Sequence, residues 1–325
     1  MLKIGILGLG HLGKIHAKCI QLLPKLYELV GFYDPDDQIA ESARLTYGIK
    51  RFSNVDALLA VVEVIDIVAP TIHHFALAKK AIEQGKHFFI EKPITHTVEE
   101  AQTLLRLIKN QPIKAKVGHV ERFNPALLAL ETIPIDPKFI EAHRLAPFNP
   151  RGTDVSVVLD LMIHDLDILL SLIPYPIRSV HANGVPILSS TPDIANVRLE
   201  FENGAVANLT ASRISMKNMR KFRIFQLDAY LSLDFLNKQT EVIRLHTQAP
   251  TKNQHWIELD AGERKHYIEV STPKIAPSNA IKMELELFAQ AILKGLNPKV
   301  TLVDGLKALE LADQINTQIE QNLAR

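Results

Sequence analysis

Three glycines near the start of the chain stand in a spacing that serves phosphate chemistry. In Gly8-Leu-Gly-His-Leu-Gly13 they fill the pattern G-x-G-x-x-G. The first permits a tight strand-to-helix turn. The second lets backbone approach a pyrophosphate, and the third lets the helix pack closely on the strand. Ile4, Ile6 and Leu7 precede them as a short buried strand. Leu12, Ile15, Cys19 and Leu22 follow as an apolar helical stripe that Pro24 closes. In that setting Gly8, Gly10 and Gly13 are read as a dinucleotide turn, with His11 and Leu12 as further contacts. The helix start turns its free N–H groups toward the phosphates.

Asp34 ends the next strand, Leu29–Asp34, 21 positions after Gly13. That is the separation expected of a carboxylate that holds ribose hydroxyls. A carboxylate there repels a 2′-phosphate, and Pro35 rather than an arginine follows it, which favours NAD over NADP. Pro70 and Thr71 turn the chain at the carboxyl end of another strand, Val64–Pro70, where ligands bind in sheets of this kind. His74 joins them as a cofactor contact, although a helix cap would serve it equally well. Glu91-Lys92-Pro93 closes the strand His87–Pro93. Lys92 follows three consecutive apolar residues, so it is expected to face the cofactor cleft rather than bulk solvent.

Elements alternate through the first 120 residues. A helix over Asp37–Tyr47 stops at Gly48, a short strand follows at Arg51–Phe52, and a helix covers Val55–Val61. Thr97 with Glu100 makes a capping box, and Ala115–Val120 is the last strand. Six strands alternating with helices predict an α/β, doubly wound parallel sheet of Rossmann type over residues 1–121.

The pattern then changes. Asn124-Pro125 opens a helix, 139–145 reads as a strand, and 146–154 is a loop. Val155–Ile173 reads as one helix carrying Asp160, His164, Asp165 and Asp167. Seven short strands follow, with Asn203-Gly204 as a hairpin turn between two of them. This predicts an α+β substrate domain over 122–325 with an open, mainly antiparallel sheet. Its uncovered face calls for a second subunit, giving a homodimer or homotetramer. Two closing helices, about 279–294 and 303–323, are free to pack back on the first domain.

Net charge is +1 and no basic run stands out, which excludes an electrostatic footprint for nucleic acid or an anionic membrane. A single cysteine excludes an internal disulfide and points to a reducing, cytoplasmic setting. No apolar run reaches membrane-spanning length, and the chain enters its first strand at once, so no signal peptide is expected. His73-His74 and the His164-Asp165-x-Asp167 cluster supply metal-ligand types, but in no recognised metal spacing, so no metal is expected.

Taken together, Gly8-Leu-Gly-His-Leu-Gly13, Glu91-Lys92-Pro93 and the Asp160-x-x-x-His164 helix resemble the glucose–fructose oxidoreductase, inositol dehydrogenase and MocA family along essentially the whole chain. The resemblance implies an NAD-dependent oxidoreductase acting on a secondary hydroxyl of a sugar, nucleotide sugar or cyclitol. It implies catalytic roles for Lys92, Asp160 and His164, with Glu91 and Lys92 also at the cofactor. The segment Gly118-His-Val-Glu-Arg-Phe-Asn-Pro125 resembles members that oxidise the 3-hydroxyl of nucleotide-linked N-acetylglucosamine. Arg122 and Asn124 then become substrate contacts beside Lys92, Asp160 and His164. Arg122, Arg144 and Arg151 become candidates to meet a diphosphate. Two other readings share these residues: NAD-assisted glycoside cleavage, and an NAD-binding regulator without catalysis.

Overall fold

The structure, a computed structural model, describes residues 1–149, 155–248, 256–260, 265–274 and 276–324. The chain divides into two compact units. One comprises Met1–Phe123 with Asn279–Glu310, the other Asn124–Ser278 with Leu311–Arg325.

The first unit holds five parallel strands: β1 (Leu2–Leu7), β2 (Tyr27–Tyr33), β3 (Val64–Ile67), β4 (His87–Glu91) and β5 (Ala115–Gly118). Their order is β2-β1-β3-β4-β5. The order reverses between β1 and β3, and a ligand crevice opens at such a switch point. The connections run through α1 (His11–Gln21), α2 (Asp37–Tyr47), α3 (Val55–Leu59), α4 (His74–Glu83) and α5 (Val98–Ile108). The third of the six expected strands, Arg51–Phe52, is reduced to one bridge between Phe32 and Arg51. Asn54 caps α3 immediately afterwards, which leaves the chain no length to extend a ladder. Gly48 ends α2 at a φ of 64°, and Thr97 with Glu100 closes a capping box at the head of α5.

The second unit starts with α6 (Pro125–Leu128) and β6 (Phe139–Leu145), and continues through α7 (Ile163–Leu172). Eight strands follow: β7 (Ile177–Val185), β8 (Ile194–Phe201), β9 (Val206–Ser212), β10 (Met219–Phe225), β11 (Ala229–Asp234), β12 (Gln239–His246), β13 (Trp256–Asp260) and β14 (Lys265–Ser271). The sheet order is β13-β14-β12-β11-β10-β6-β9-β8-β7. Among the described residues, every pairing in this sheet is antiparallel except β6 with β9. A parallel pair needs a long crossover, and α7 with the β7–β8 hairpin supplies it. One face of this sheet buries Val197, Leu199, Phe201 and Leu209 against Leu166, Ile168 and Leu169 of α7.

The single helix expected over Val155–Ile173 is two kinds of helix. Val158–Met162 is a π-helical turn that runs into α7. Residues 150–154, including Arg151, lie outside the described residues. β13 has no counterpart in the sequence reading.

Two more helices complete the chain, α8 (Ala280–Leu293) and α9 (Leu302–Leu323). Leu285, Phe288 and Ala289 of α8 pack on Ala17, Cys19 and Ile20 of α1, beside Phe89. That contact also buries a charge pair. Lys116 Nζ of β5 donates to Glu284 Oε1 of α8 at 2.6 Å, and stands over the rings of Phe89 and Phe123. Burial dominates at Glu284 and, with Lys116 opposing it, leaves the carboxyl raised to about 7. The folded state therefore binds this proton more tightly than the unfolded chain. Its contribution to stability is present at low pH and lost as pH rises from the ordinary carboxyl value toward about 7. Glu284→Gln should flatten the fall in stability between pH 5 and 7.5 by an amount on the order of 3 kcal/mol. Urea unfolding at both pH values checks this. The same fall in the variant would place its source elsewhere.

Candidate active site

The glycine turn follows β1. Gly8 has a φ of 90°, in the left-handed region that favours glycine. A Cβ there would stand 2.8 Å from the Ala69 backbone after β3. A Cβ on Gly13 would overlap the Gly8 carbonyl oxygen, while one on Gly10 would meet nothing within 4 Å. Gly8 and Gly13 thus permit close packing, and Gly10 faces open space. That space is part of a cavity of about 650 Å³, lined by Gly8, Gly10, His11, Leu12, Asp34 and Pro70 among others. His73, which the sequence raised only as a metal-ligand type and not as a cofactor contact, lines it too.

Asp34 is buried and held from two sides. Its Oδ2 accepts from the Leu9 N–H at 2.7 Å, and its Oδ1 from the Asp36 N–H at 2.9 Å. Two backbone donors fix the carboxylate at the rim of the glycine turn, where it retains lone pairs for hydroxyl donors. Arg51 stands beside it, donating to the Asp34 carbonyl at 2.9 Å and pairing with Asp37 at 2.7 Å. The sequence argument considered only the residues that directly follow Asp34, so it passed over this guanidinium. An open cradle at Gly10, a helix N-terminus and a fixed carboxylate together suit a bound dinucleotide.

Thr71 sits half-buried in a 3-10 turn, Thr71–His73. His74 faces inward. Its Nδ1 lies 2.9 Å from the Pro93 carbonyl and its Nε2 2.9 Å from the Ala69 carbonyl, so the ring sits between two strand-end loops and, when neutral, donates to one of them. Burial lowers its proton affinity against the pull of those carbonyls. Lys92 is half-buried at the end of β4, and the Lys92–Pro93 peptide is cis.

Glu91 is buried and joins a group that sequence reasoning missed. His16 of α1 places Nδ1 2.9 Å from Asp66 Oδ2 and Nε2 3.1 Å from Glu91 Oε1. Burial alone would lower the His16 proton affinity, but Asp66 and Glu91 overcome it and raise the ring well above the usual histidine value. The signal was in the sequence: Asp66 interrupts the apolar strand Val64–Ile67, and a carboxylate there requires a partner.

The second unit has its own cavity, of about 510 Å³, lined by Asp160, Leu161, Asn149, Arg213 and Asn218 among others. Asp160 belongs to the π turn, a feature found often at functional sites, and His164 lies half-buried one turn later on α7. Asp165 and Asp167 are buried. Arg144 is a correction to the sequence reading. It is 3% exposed and its Nε and Nη2 donate to the two oxygens of Asp165, each at 2.8 Å, so this guanidinium is committed to the core. Asn124 caps α6 through Oδ1, which accepts from the Ala126 N–H, while Nδ2 donates to the Phe235 carbonyl. Arg122 lies half-buried in the 3-10 turn Val120–Phe123.

Known proteins resemble this chain along its whole length. The profile of the oxidoreductase family with an NAD-binding Rossmann fold, Gfo/Idh/MocA, matches residues 2–119, and the family's C-terminal domain matches 139–230. The chain belongs to the Gfo/Idh/MocA family. It is an oxidoreductase acting on CH–OH groups, with a Rossmann domain for its nicotinamide cofactor. It is 35% identical to the UDP-N-acetylglucosamine 3-dehydrogenase of Acidithiobacillus ferrooxidans, over 100% of this chain and 99% of that one. A solved structure of that enzyme superposes with a TM-score of 0.89. The scyllo-inositol 2-dehydrogenase (NAD(+)) of Bacillus subtilis is 31% identical over 66% of this chain and 68% of its own. Levoglucosan dehydrogenase in complex with NADH and levoglucosan shares the fold, with a TM-score of 0.82 at 19% identity over 98% of this chain and 97% of that one. Among the described residues, no helix is long and apolar enough to cross a membrane.

The glycine geometry separates two substitutions. Gly10→Ala should fold with wild-type stability but bind NADH at least tenfold more weakly, because its methyl enters the cradle. Gly13→Ala should instead lose stability, since the methyl meets a backbone carbonyl that cannot swing away. Thermal unfolding and NADH fluorescence titration distinguish the two. Equal stability losses would contradict the assignment.

Proposed function

We propose that this enzyme oxidises the 3-hydroxyl of a UDP-N-acetylglucosamine-like nucleotide sugar, with NAD as acceptor, in the cytoplasm and as a homodimer or homotetramer. The observation that carries the reading is the end-to-end similarity to the Acidithiobacillus enzyme, which spans both units at 35% identity. The cofactor, when bound, supplies the hydride acceptor. The chain supplies the remaining chemistry. The Lys92 ammonium donates to the reacting hydroxyl oxygen and stabilises negative charge as it develops there. His164 accepts the hydroxyl proton, and Asp160 orients either that ring or the substrate. Arg122 remains a candidate for the diphosphate, as does Asn124 for the sugar. For assembly, the support is a cross-strand aromatic row on the second sheet, in which Phe225 meets Phe139 and Tyr230 at centroid distances of 5.7 and 4.8 Å.

Asp34 favours NAD, because its carboxylate repels a 2′-phosphate. Arg51 gives the NADP reading one specific support, since a guanidinium beside the ribose carboxylate can receive that phosphate. NADH should bind at least tenfold more tightly than NADPH, and Asp34→Ala should narrow that gap. NADPH binding equal to or tighter than NADH would transfer the assignment to Arg51.

Turnover tests the rest. With UDP-N-acetylglucosamine and NAD, the wild type should produce NADH, whereas glycoside cleavage would leave the cofactor balance unchanged. Lys92→Met and His164→Asn should each cut kcat by about two to three orders of magnitude while NADH affinity changes little. Near-wild-type turnover in either folded variant would remove that residue from the mechanism.

A further inference from the structure

The His16 group lies behind the Glu91-Lys92-Pro93 turn, entirely within the first unit. Three elements build it. α1 contributes His16, β3 contributes Asp66, and the end of β4 contributes Glu91. The His16 ring is fully buried and bridges the two carboxylates at 2.9 and 3.1 Å. The other Glu91 oxygen, Oε2, accepts from the Lys92 backbone N–H at 3.2 Å. A close fit holds the carboxylate in place, since a Cβ on Gly118 of β5 would stand 2.6 Å from Glu91 Oε1.

We propose that His16 is a positioning residue for Lys92: anchored by Asp66, its imidazolium holds the Glu91 carboxylate against the Lys92 backbone and balances the negative charge beside the Lys92 ammonium. The proposal rests on the reading of Lys92 as the residue that meets the reacting hydroxyl. Its physical basis is that a lone buried carboxylate is costly, while one held against a buried cation keeps its charge and its place. Burial would raise Glu91, but the 3.1 Å contact with His16 and the charges of His16 and Lys92 hold it below the usual carboxyl range. The other titratable groups around the relay are Cys19 on α1, Tyr27 on β2, His74 on α4, Lys116 on β5 and Glu284 on α8. None of these replaces the bridge, since the two ring nitrogens of His16 meet Asp66 and Glu91 directly.

A charge role and a packing role predict different results. Trace acylation with acetic anhydride at pH 8, followed by mass spectrometry, reads how freely Lys92 gives up its proton, without substrate or cofactor. Exposed Lys50 provides the internal reference. His16→Gln removes a positive charge beside Glu91, so the ammonium is held more firmly and Lys92 acylation should fall about three- to tenfold. Glu91→Gln removes the negative charge and should raise acylation by a similar factor. Opposite signs support the relay. Changes of the same sign, or no change in folded protein, overturn it. Should His16→Gln fail to fold, Glu91→Gln decides alone, and acylation that does not rise overturns the proposal. A Lys92→Met enzyme with wild-type turnover would instead overturn the catalytic reading of Lys92. The acylation result, which needs no turnover, would still report whether the relay sets the charge around that lysine.

Discussion

The contact between Gly13 and the Gly8 carbonyl sets the geometry on which the first unit depends. No side chain fits there, so α1 starts directly against the end of β1. Two consequences follow from that one approach. The N–H groups at the head of α1 are brought to the cavity beside Asp34, where backbone donors and the helix dipole would favour a phosphate. One turn and more along the same helix, His16 is brought between Asp66 and Glu91, and Cys19 and Ile20 reach α8. The cofactor cradle and the support of the Glu91–Lys92 turn are therefore set by one helix and one backbone contact.

The first unit carries a costly interior. His16, Asp66, Glu91, Lys116 and Glu284 are all buried, and a well-packed apolar set would fill the same volume with equal or greater stability. What an apolar core cannot do is set the charge around a strand-end lysine. In the second unit the comparable buried pairs are Arg144 of β6 with Asp165 of α7, and Arg213 with Asp193.

Much of this was legible in the sequence because it is local. The glycine turn, the Gly48 stop, the Thr97–Glu100 box and the Asn203-Gly204 hairpin each lie within a few residues, where backbone rules act directly. The features that escaped are long-range. Arg51 reaches Asp34 across 17 residues, Arg144 reaches Asp165 across 21, and His16 reaches Asp66 across 50. Period alone does not reveal the π turn at Val158–Met162, since its apolar pattern also fits an α-helix. The parallel pairing of β6 with β9 is a choice of topology that strand-forming residues do not encode locally, and the two-residue run at Arg51 was too short to carry a strand.

The central claim is that a hydrogen leaves carbon 3 of a nucleotide sugar as hydride and arrives on the nicotinamide. UDP-N-acetylglucosamine carrying deuterium at that carbon tests it most directly. After incubation with the enzyme and NAD, mass spectrometry of the reduced cofactor should find it heavier by one deuterium. Reduced cofactor without the label, or none formed, would contradict the account.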